Sequence, residues 1–212
     1  MSPSRRLVGD PPRPIDPLIE VWAAGLAIHR VHGADRRATS FSPGPRPLTR
    51  FAFFGDPIVP VLYGAEGEEA AVAETLLHDL PTVGGRLVPE RYRGRVVSGV
   101  LPQRELRLAQ LHGGGLRRLG ARATNLTDTS AAHYIRTVRW ADAIHEGTDL
   151  DGIVWMSRQW NNQKAVMLFG DRVGSRELSV APTLGRSFAT AEGFEWLATL
   201  CQHLRVVVIP PW

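Results

Sequence analysis

The chain has 212 residues, of which 43% are apolar, and it carries a formal net charge of +4 and a single cysteine. This length fits one domain with a sizeable core, and the lone Cys201 excludes an internal disulfide and any multi-cysteine metal site. No segment reaches the ~18 apolar residues of a membrane span, and the N-terminus lacks an apolar signal-peptide core. We therefore expect a cytoplasmic protein without membrane contact.

The positive charge comes almost entirely from arginine, because Lys164 is the only lysine. Between residues 86 and 122 the chain has nine arginines and only two acids, Glu90 and Glu105, an excess that suits phosphate binding. Tyr92 is the only aromatic residue of this stretch, so it lacks the stacking platforms that nucleic-acid bases use. The charge favours a nucleic-acid-binding module built on residues 86–122 and the lack of aromatic residues disfavours it, so we keep this module as an alternative function.

The first segment, residues 1–17, contains five of the sixteen prolines. Proline has a fixed φ and no backbone donor, so this segment is predicted to be an extended arm with little packing of its own. The folded domain is predicted to span residues 18–212 and to begin with a short helix at 18–24.

The next segment, residues 26–31, alternates with a period of two and is predicted to be a strand. Arg30 falls on the face that also carries apolar residues, so its guanidinium points toward the interior. Prolines, glycine and serines then predict a turn-rich loop at 39–47. Extended structure is predicted to resume at 50–54.

A strand at 60–65 leads into a predicted helix at 66–80, which is rich in Ala, Glu and Leu and ends before a proline. The acid Glu74 lies at the border of the apolar stripe, whereas the other polar residues of the helix fall on the wet side. The residues predicted to form the buried stripe are Ala70, Ala73, Leu76, Leu77 and Leu80.

The rest of the chain contains short strands with interspersed helices in no steady alternation, which indicates an α+β fold. Glycines 113–115 are predicted to be a loop before a short helix. A longer helix at 130–145 is expected to be capped by Thr127, Asp128 or Thr129. The remaining predicted elements are strands at 96–101, 105–109, 152–156, 165–169 and 206–209, and a helix at 191–203.

Several familiar catalytic motifs are absent. The run from Gly113 to Arg118 fails the dinucleotide fingerprint because Arg118 stands where the third glycine belongs, and no phosphate-loop Lys-Ser or Lys-Thr follows Gly120. The sequence has no His-Glu-x-x-His and no Gly-x-Ser-x-Gly, and its seven histidines show no ligand spacing. We expect no metal cofactor.

Four polar side chains are candidates for chemistry because each lies on or beside an apolar face: Arg30, Tyr63, Glu74 and Ser157. Each also has an ordinary interpretation: an ion-paired arginine, a core tyrosine, a helix-terminus or ion-pair acid, and a small residue at a strand end. A charge that faces a core is costly unless it is paired or hydrogen-bonded. If these side chains converge, they form a pocket for an anion and a sugar.

The order of the motifs resembles the RES-domain family, named after its Arg, Glu and Ser. Arg30 lies in a strand, Arg50 follows a Pro/Gly-rich loop within Thr49-Arg50-Phe51, Tyr63 lies in Leu62-Tyr63-Gly64-Ala65, and Glu74 lies in the next helix. Trp140 and then Asp151-Gly152-Ile153 lead to Ser157-Arg158. The resemblance covers residues 26–169.

The resemblance implies a compact α+β fold like that of ADP-ribosyltransferases, with a mixed, mostly antiparallel core sheet and flanking helices. It also implies a single catalytic domain that consumes NAD, without a metal. Toxin members of the family cleave NAD at the nicotinamide ribose with inorganic phosphate as acceptor. A helix-turn-helix antitoxin usually silences them, so contact with nucleic acid would be indirect, through that partner.

The residues at the matching positions are Arg30, Arg50, Tyr63, Glu74 and Ser157. The implied roles are phosphate binding for the two arginines, a ring against nicotinamide or ribose for Tyr63, and charge stabilisation for Glu74. Ser157 is expected to orient phosphate or the carboxamide, and the catalytic set is Arg30, Glu74 and Ser157. Family members often place another aromatic residue near the first arginine, but here Val31 and His32 follow Arg30, which leaves part of the nicotinamide stacking unassigned.

Three alternatives remain open beside phosphorolysis and nucleic-acid binding. The same NAD-binding residues would also support hydrolysis of NAD or ADP-ribosyl transfer to a protein. A RES-like scaffold without activity would bind NAD and not turn it over. Association into a homo-oligomer is compatible with all of these interpretations.

Overall fold

The computed structural model describes residues 9–44, 48–81 and 84–211, and an eight-stranded sheet runs through this part of the chain. Its strand order is β1-β6-β7-β8-β3-β2-β5-β9, and only the β6–β7 pair is parallel. The strands are β1 (Ile19–Trp22), β2 (Ile28–Gly33), β3 (Val61–Ala65), β4 (Gly85–Leu87), β5 (Arg95–Pro102), β6 (Leu106–Gln110), β7 (Gly152–Met156), β8 (Lys164–Phe169), β9 (Leu178–Ser187) and β10 (Val206–Val208). Strands β4 and β10 form a separate parallel pair.

Helices flank this sheet on its surfaces and edges. The helices within the described residues are α1 (Glu68–Val72), α2 (Pro89–Tyr92), α3 (Gly113–Arg118), α4 (Tyr134–Gly147) and α5 (Ala191–His203). Helix α1 continues directly into a π-helical turn at Ala73–Leu77. The predicted α+β class with a mostly antiparallel sheet is confirmed.

The central strands β7 and β8 are buried on both faces, as their nearly continuous apolar sequences predict. One core cluster lies between the sheet and α4 and includes Trp155 and Phe169. A second lies between the sheet and α1 with α5, and a third covers the opposite face around Ile28 and Leu62. Most of the stripe predicted for α1 is buried, and Leu80 is partly buried.

Two sequence predictions near the β1 edge are wrong. Residues predicted as a helix at 18–24 instead contain β1, which pairs antiparallel with β6 from Ile19↔Ala109 to Trp22↔Leu106. The β-branched residues of this segment suit a pleated edge, and pairing decides its structure. The Gly113–115 run is not a loop, because it forms the first turn of α3.

Glycine at position 115 is required by packing within that turn. A Cβ atom built on Gly115 would lie 1.9 Å from the carbonyl oxygen of Gln110. A low-propensity helix start is therefore accepted because only glycine allows the close approach. Propensity alone could not show this.

Other differences concern short or poorly patterned segments. Residues 50–54 form no strand, and the helix expected at 130–145 starts as a 3-10 turn at Ala131–His133 before α4. No side chain caps α4, so the predicted caps Thr127, Asp128 and Thr129 are wrong. Strands β4 and β9 and helix α2 were not predicted, whereas α5 agrees with its predicted bounds.

The N-terminal arm, described from Gly9 onward, is extended and lies against the domain. Ile15 is buried in the core cluster beside α4, and Trp140 Nε1 donates a hydrogen bond to the carbonyl of Gly9 at 2.8 Å. The arm therefore packs more closely than the proline count predicts. Residues 1–8, and residues 45–47 of the predicted turn-rich loop, lie outside the described part.

Candidate functional site

A cavity of about 310 Å³ lies where β2 and β3 meet. These neighbouring strands are registered at one pair only, His29↔Ala65, and residues beyond that pair line the cavity from both strands. β2 contributes Arg30 and Val31, and β3 contributes Val61, Tyr63 and Gly64. A volume of this size is at the lower end of ligand pockets.

Other elements complete the walls of the cavity. Trp155 and Ala165 come from the central strands, and Tyr134 comes from the start of α4. The α1 segment and its π-helical turn supply Ala71, Glu74 and Thr75, with His78 just beyond. The loop before β3 supplies Ser42, Leu48, Thr49 and Arg50.

The structure brings together the residues that the sequence singled out. Arg30, Arg50, Tyr63 and Glu74 all line this cavity. Ser157 does not line it, but its hydroxyl contacts the carboxylate of Glu74. Five side chains separated by as many as 127 positions therefore form one connected group.

Arg30 is held by main-chain oxygens. Its Nη1 donates to the carbonyls of Ala38 and Ser40, both at 2.7 Å, while its Nε is buried without a hydrogen-bond partner. Burial, with a smaller effect of the nearby Arg36, lowers the pKa of Arg30 to about 10. The guanidinium thus remains charged at neutral pH.

Arg50 is 7% exposed and is held in a similar way. Its Nη1 donates to the carbonyl of Thr129 at 2.9 Å and to the Thr129 hydroxyl at 3.2 Å. The guanidinium lies 5.6 Å from the centre of the Tyr134 ring, within the range of a cation–π interaction. The hydroxyl of Thr137 donates to the Arg50 carbonyl, which ties this loop to α4.

Tyr63 presents its ring to the cavity while its hydroxyl is fixed. The hydroxyl accepts a hydrogen bond from the Phe51 amide at 3.2 Å and lies 2.8 Å from the Thr49 hydroxyl. Burial raises the pKa of this phenol, so it stays neutral. The ring packs edge-on against Trp155, with centroids 6.2 Å apart.

Glu74 lies in the π-helical turn, a feature that is frequent at functional sites. Its Oε1 accepts hydrogen bonds from the Ser157 hydroxyl and the Arg158 amide, both at 2.7 Å. Ser157 is fully buried, and its oxygen also accepts a bond from the Trp160 amide at 3.1 Å. One carboxylate oxygen is therefore fixed, and the described residues supply no hydrogen bond to Oε2.

The charges of the cavity are unbalanced. In the described ranges, neither Arg30 nor Arg50 lies within ion-pair distance of a carboxylate, although many other arginines do. Glu74 is the only acid among the residues that line the cavity. The ion-paired interpretation of Arg30 is thus wrong, and the site has two fixed cations that an anionic ligand can neutralise.

Sequence reasoning did not assign a role to several residues of this site. Thr49 orients Tyr63, Tyr134 packs on Arg50, and Trp155 forms part of the wall. In the sequence, Thr49 stands out only as the neighbour of Arg50, and Tyr134 only as part of a predicted helix. No periodic pattern shows that they meet, because they come from a loop and from a distant helix.

Ion pairs involve part of the basic stretch 86–122. In the part of the chain that the structure describes, four of its nine arginines pair with carboxylates: Arg91 with Asp79, Arg104 with Asp151 and Glu177, Arg107 with Asp149, and Arg118 with Asp16. The stretch also divides among β4, α2, β5, β6 and α3. Its excess charge is thus partly neutralised and spread over several elements.

Residues 9–44, 48–81 and 84–211 contain no group of three or more His, Cys, Asp or Glu side chains arranged to hold a metal ion. No helix in these ranges is long and apolar enough to cross a membrane.

Comparisons with known proteins agree with the fold and with the order of the motifs. Residues 27–189 match the family model of the RES domain. A chain of the MbcT–MbcA toxin–antitoxin complex of M. tuberculosis superposes with a TM-score of 0.58 at 13% identity, covering 87% of this chain and 91% of that one. No curated protein matches the sequence.

Proposed function

The chain belongs to the RES-domain family, and on that premise we propose that it is an NAD-consuming enzyme, the toxin of a toxin–antitoxin pair, that uses inorganic phosphate as its acceptor. The observation that carries this proposal is the composition of the β2–β3 cavity. Two arginines without carboxylate partners and one glutamate held by two hydrogen bonds line the same walls. These are the groups that a pyrophosphate, a free phosphate and a developing sugar cation require.

The proposed reaction breaks the bond between C1″ of the ribose and the nicotinamide nitrogen. The bonding electron pair leaves with the cationic ring, which departs as neutral nicotinamide. A phosphate oxygen forms the new bond to C1″ and gives ADP-ribose 1″-phosphate. No general base is needed, because phosphate is already an anion.

Glu74 acts where positive charge develops. As the glycosidic bond breaks, the ribose acquires oxocarbenium character, which a nearby carboxylate stabilises. Its Oε1 is occupied by Ser157 and Arg158, so Oε2 is the oxygen available to the sugar. Because the carboxylate is fixed before the substrate arrives, little reorganisation is needed in the transition state.

For Ser157 we propose a positioning role, whereas the sequence analysis expects it to orient phosphate or the carboxamide. It is fully buried and contacts Glu74 rather than the cavity, so we assign it as a positioning residue for the carboxylate. Arg30 and Arg50 hold the phosphates, and the Tyr63 ring lies against the nicotinamide or the ribose. These roles are consistent with the groups that each side chain presents.

We also propose that a protein antitoxin closes the cavity and that the enzyme acts in the cytoplasm. Its support is the structural neighbour, which comes from a toxin–antitoxin complex. We further propose that the antitoxin carries a helix-turn-helix domain, and that this protein touches nucleic acid only through it. A homo-oligomer stays compatible with this arrangement.

The test is to incubate the purified chain with NAD, with and without phosphate, and to follow nicotinamide release by chromatography and the sugar product by mass spectrometry. We expect rapid, phosphate-dependent release and a product heavier than ADP-ribose by one phosphate. Phosphate-independent release of free ADP-ribose would indicate hydrolysis. Labelled ADP-ribose on lysate proteins would indicate protein modification, and no release under any condition would remove the enzyme hypothesis.

A further inference from the structure

The orientation of Arg30 depends on the loop that follows β2. The cation is oriented by the carbonyls of Ala38 and Ser40, which belong to the loop that follows β2. Backbone hydrogen bonds fold this loop into turns, from Arg36 to Gly33 at 3.0 Å and from Ser40 to Arg37 at 3.1 Å. The direction of the Arg30 guanidinium therefore depends on where this loop lies.

His32 connects the start of that loop to the sheet. The residue is 6% exposed, and its Nδ1 lies 2.9 Å from the carbonyl of Gly33. A carbonyl only accepts, so Nδ1 carries the proton and Nε2 is an acceptor. Ser98 Oγ lies 3.0 Å from Nε2 and therefore donates to it. The same Gly33 carbonyl accepts the backbone N–H of Arg36 at 3.0 Å, so it joins the ring to the first turn of the loop.

Ser98 is the direct cross-strand neighbour of Arg30. The two residues are paired in the β2–β5 register, so their side chains lie on the same face of the sheet. The His32–Ser98 hydrogen bond thus runs beside Arg30 and fixes the ring that meets the loop. A pair of apolar residues would fill the same space without the cost of burying polar groups.

The charge of His32 matters because cations surround it. Burial, and to a smaller extent the nearby Arg30 and Arg95, lower the pKa of His32, whereas its hydrogen bond to the carbonyl of Gly33 opposes this shift. The carboxylate of Asp35 lies beside Gly33. A neutral histidine anchors the loop without adding a second positive charge beside Arg30. A protonated one would lose its acceptor for Ser98 and repel Arg30.

We propose that His32 and Ser98 are positioning residues for Arg30, acting through the loop that carries Ala38 and Ser40. This inference rests on the proposed function, because it assigns to Arg30 the binding of NAD phosphates. It predicts that loss of the pair weakens NAD binding and leaves the chemical step mostly intact. The pair does not touch the substrate.

The experiment measures the Kd for NAD by calorimetry and the kcat and KM by nicotinamide release for Ser98→Ala and His32→Phe. Matched controls are Ser179→Ala, whose hydroxyl accepts from Gln103 at 2.7 Å, and His112→Phe, whose ring pairs with Glu20 at 2.6 Å, both away from the cavity. We expect the Kd and KM for NAD to rise about tenfold in Ser98→Ala and His32→Phe. This is the effect of losing one hydrogen bond between the Arg30 guanidinium and a charged phosphate. The controls are expected to match the wild type.

A double-mutant cycle tests whether the pair acts through Arg30. In an Arg30→Ala background, Ser98→Ala should change the Kd for NAD by less than about twofold, because the residue that it positions is gone. His32→Gln keeps an acceptor for Ser98 and cannot be protonated in this range, so it should keep a near-normal KM at pH 8. It should also lose the rise in KM that we expect for the wild type as the pH falls below 6.5 and His32 becomes protonated.

Ser98→Ala and His32→Phe variants that match their controls in Kd and KM would overturn the inference, as would an undiminished effect of Ser98→Ala in the Arg30→Ala background. If His32→Phe fails to fold, Ser98→Ala decides alone, since it deletes one hydroxyl. A wild type that binds NAD without turnover would refute the proposed enzyme, and the Kd comparison would still test the pair. A wild type that does not bind NAD refutes both.

Discussion

Replacing Glu74 by glutamine removes the charge at the centre of the proposed mechanism and keeps the shape of the side chain. The amide oxygen can still accept the hydrogen bonds from the Ser157 hydroxyl and the Arg158 amide, which are both 2.7 Å long in the native protein. Hydrogen bonds to a neutral acceptor contribute about 1 kcal/mol less than bonds to a charged one, so the loss in folding stability should be about 2 kcal/mol for the two bonds.

The effect on turnover should exceed the effect on stability. Removing one preorganised electrostatic group from an active site costs on the order of 10²- to 10³-fold in kcat, or about 3–4 kcal/mol. We expect Glu74→Gln to lose this factor in nicotinamide release while its KM for NAD stays within about threefold of the native value. A loss confined to kcat is the signature of a group that acts in the transition state.

The matched control for this variant is Glu69→Gln. Glu69 lies in the same helical segment and accepts a hydrogen bond from Gln163 at 3.3 Å, but it does not line the cavity. Stopped assays of nicotinamide release with saturating NAD and phosphate, together with thermal unfolding of both variants, separate chemistry from folding. Turnover of Glu74→Gln near that of Glu69→Gln would refute the role assigned to Glu74.

Four further outcomes are expected. Ser157→Ala should lower kcat about tenfold and destabilise the fold by about 1–3 kcal/mol in denaturant titrations, because it frees Glu74 and leaves the Trp160 amide without an acceptor. Arg50→Lys should raise the KM for NAD about tenfold with little change in kcat, since an ammonium cannot keep both the Thr129 bonds and a planar fork. ADP-ribose at about 100 times its Kd should stabilise the native protein by about 2.7 kcal/mol in thermal scans, and Glu74→Gln should retain this shift. Burial lowers the pKa values of His29 and His32 below 6.5, so the unfolded chain binds more protons in acid, and denaturant titrations should show a free energy of unfolding that falls as the pH drops through 6.5.

The elements that the sequence predicted correctly are those with strong local patterns. Strands β7 and β8 are nearly continuous apolar runs, and α5 has a regular apolar stripe with a threonine N-cap that accepts from Gly193. The predictions failed where long-range contacts decide the structure. The β1 segment is a strand because β6 pairs with it, and position 115 within α3 is a glycine because the carbonyl of Gln110 lies against it.

The sequence predicted which residues belong to the candidate site, but not how they are arranged. A strand period placed Arg30 toward the interior, and a helical period placed Glu74 at the border of a stripe, but neither pattern gives a distance between them. The order of the RES motifs supplied that missing link, and the structure places both residues in one cavity. What no pattern shows is the means of support, namely the carbonyls that hold each arginine and the serine behind the glutamate.

Both arginines of the cavity are held by main-chain carbonyls, which leaves their charges free to bind an anion. A carboxylate partner would have satisfied each guanidinium and also neutralised it, whereas the carbonyls of Ala38, Ser40 and Thr129 orient it and leave its charge. Such a site has a cost in the free protein, because buried cations without counter-charges are unfavourable. An anionic ligand removes this unfavourable free energy when it binds. Part of the binding free energy therefore comes from charges that the fold has already fixed in place. The same reasoning requires the supporting loops to be rigid, and this is why residues that never meet the substrate, such as His32 and Ser98, belong to the functional description of the cavity.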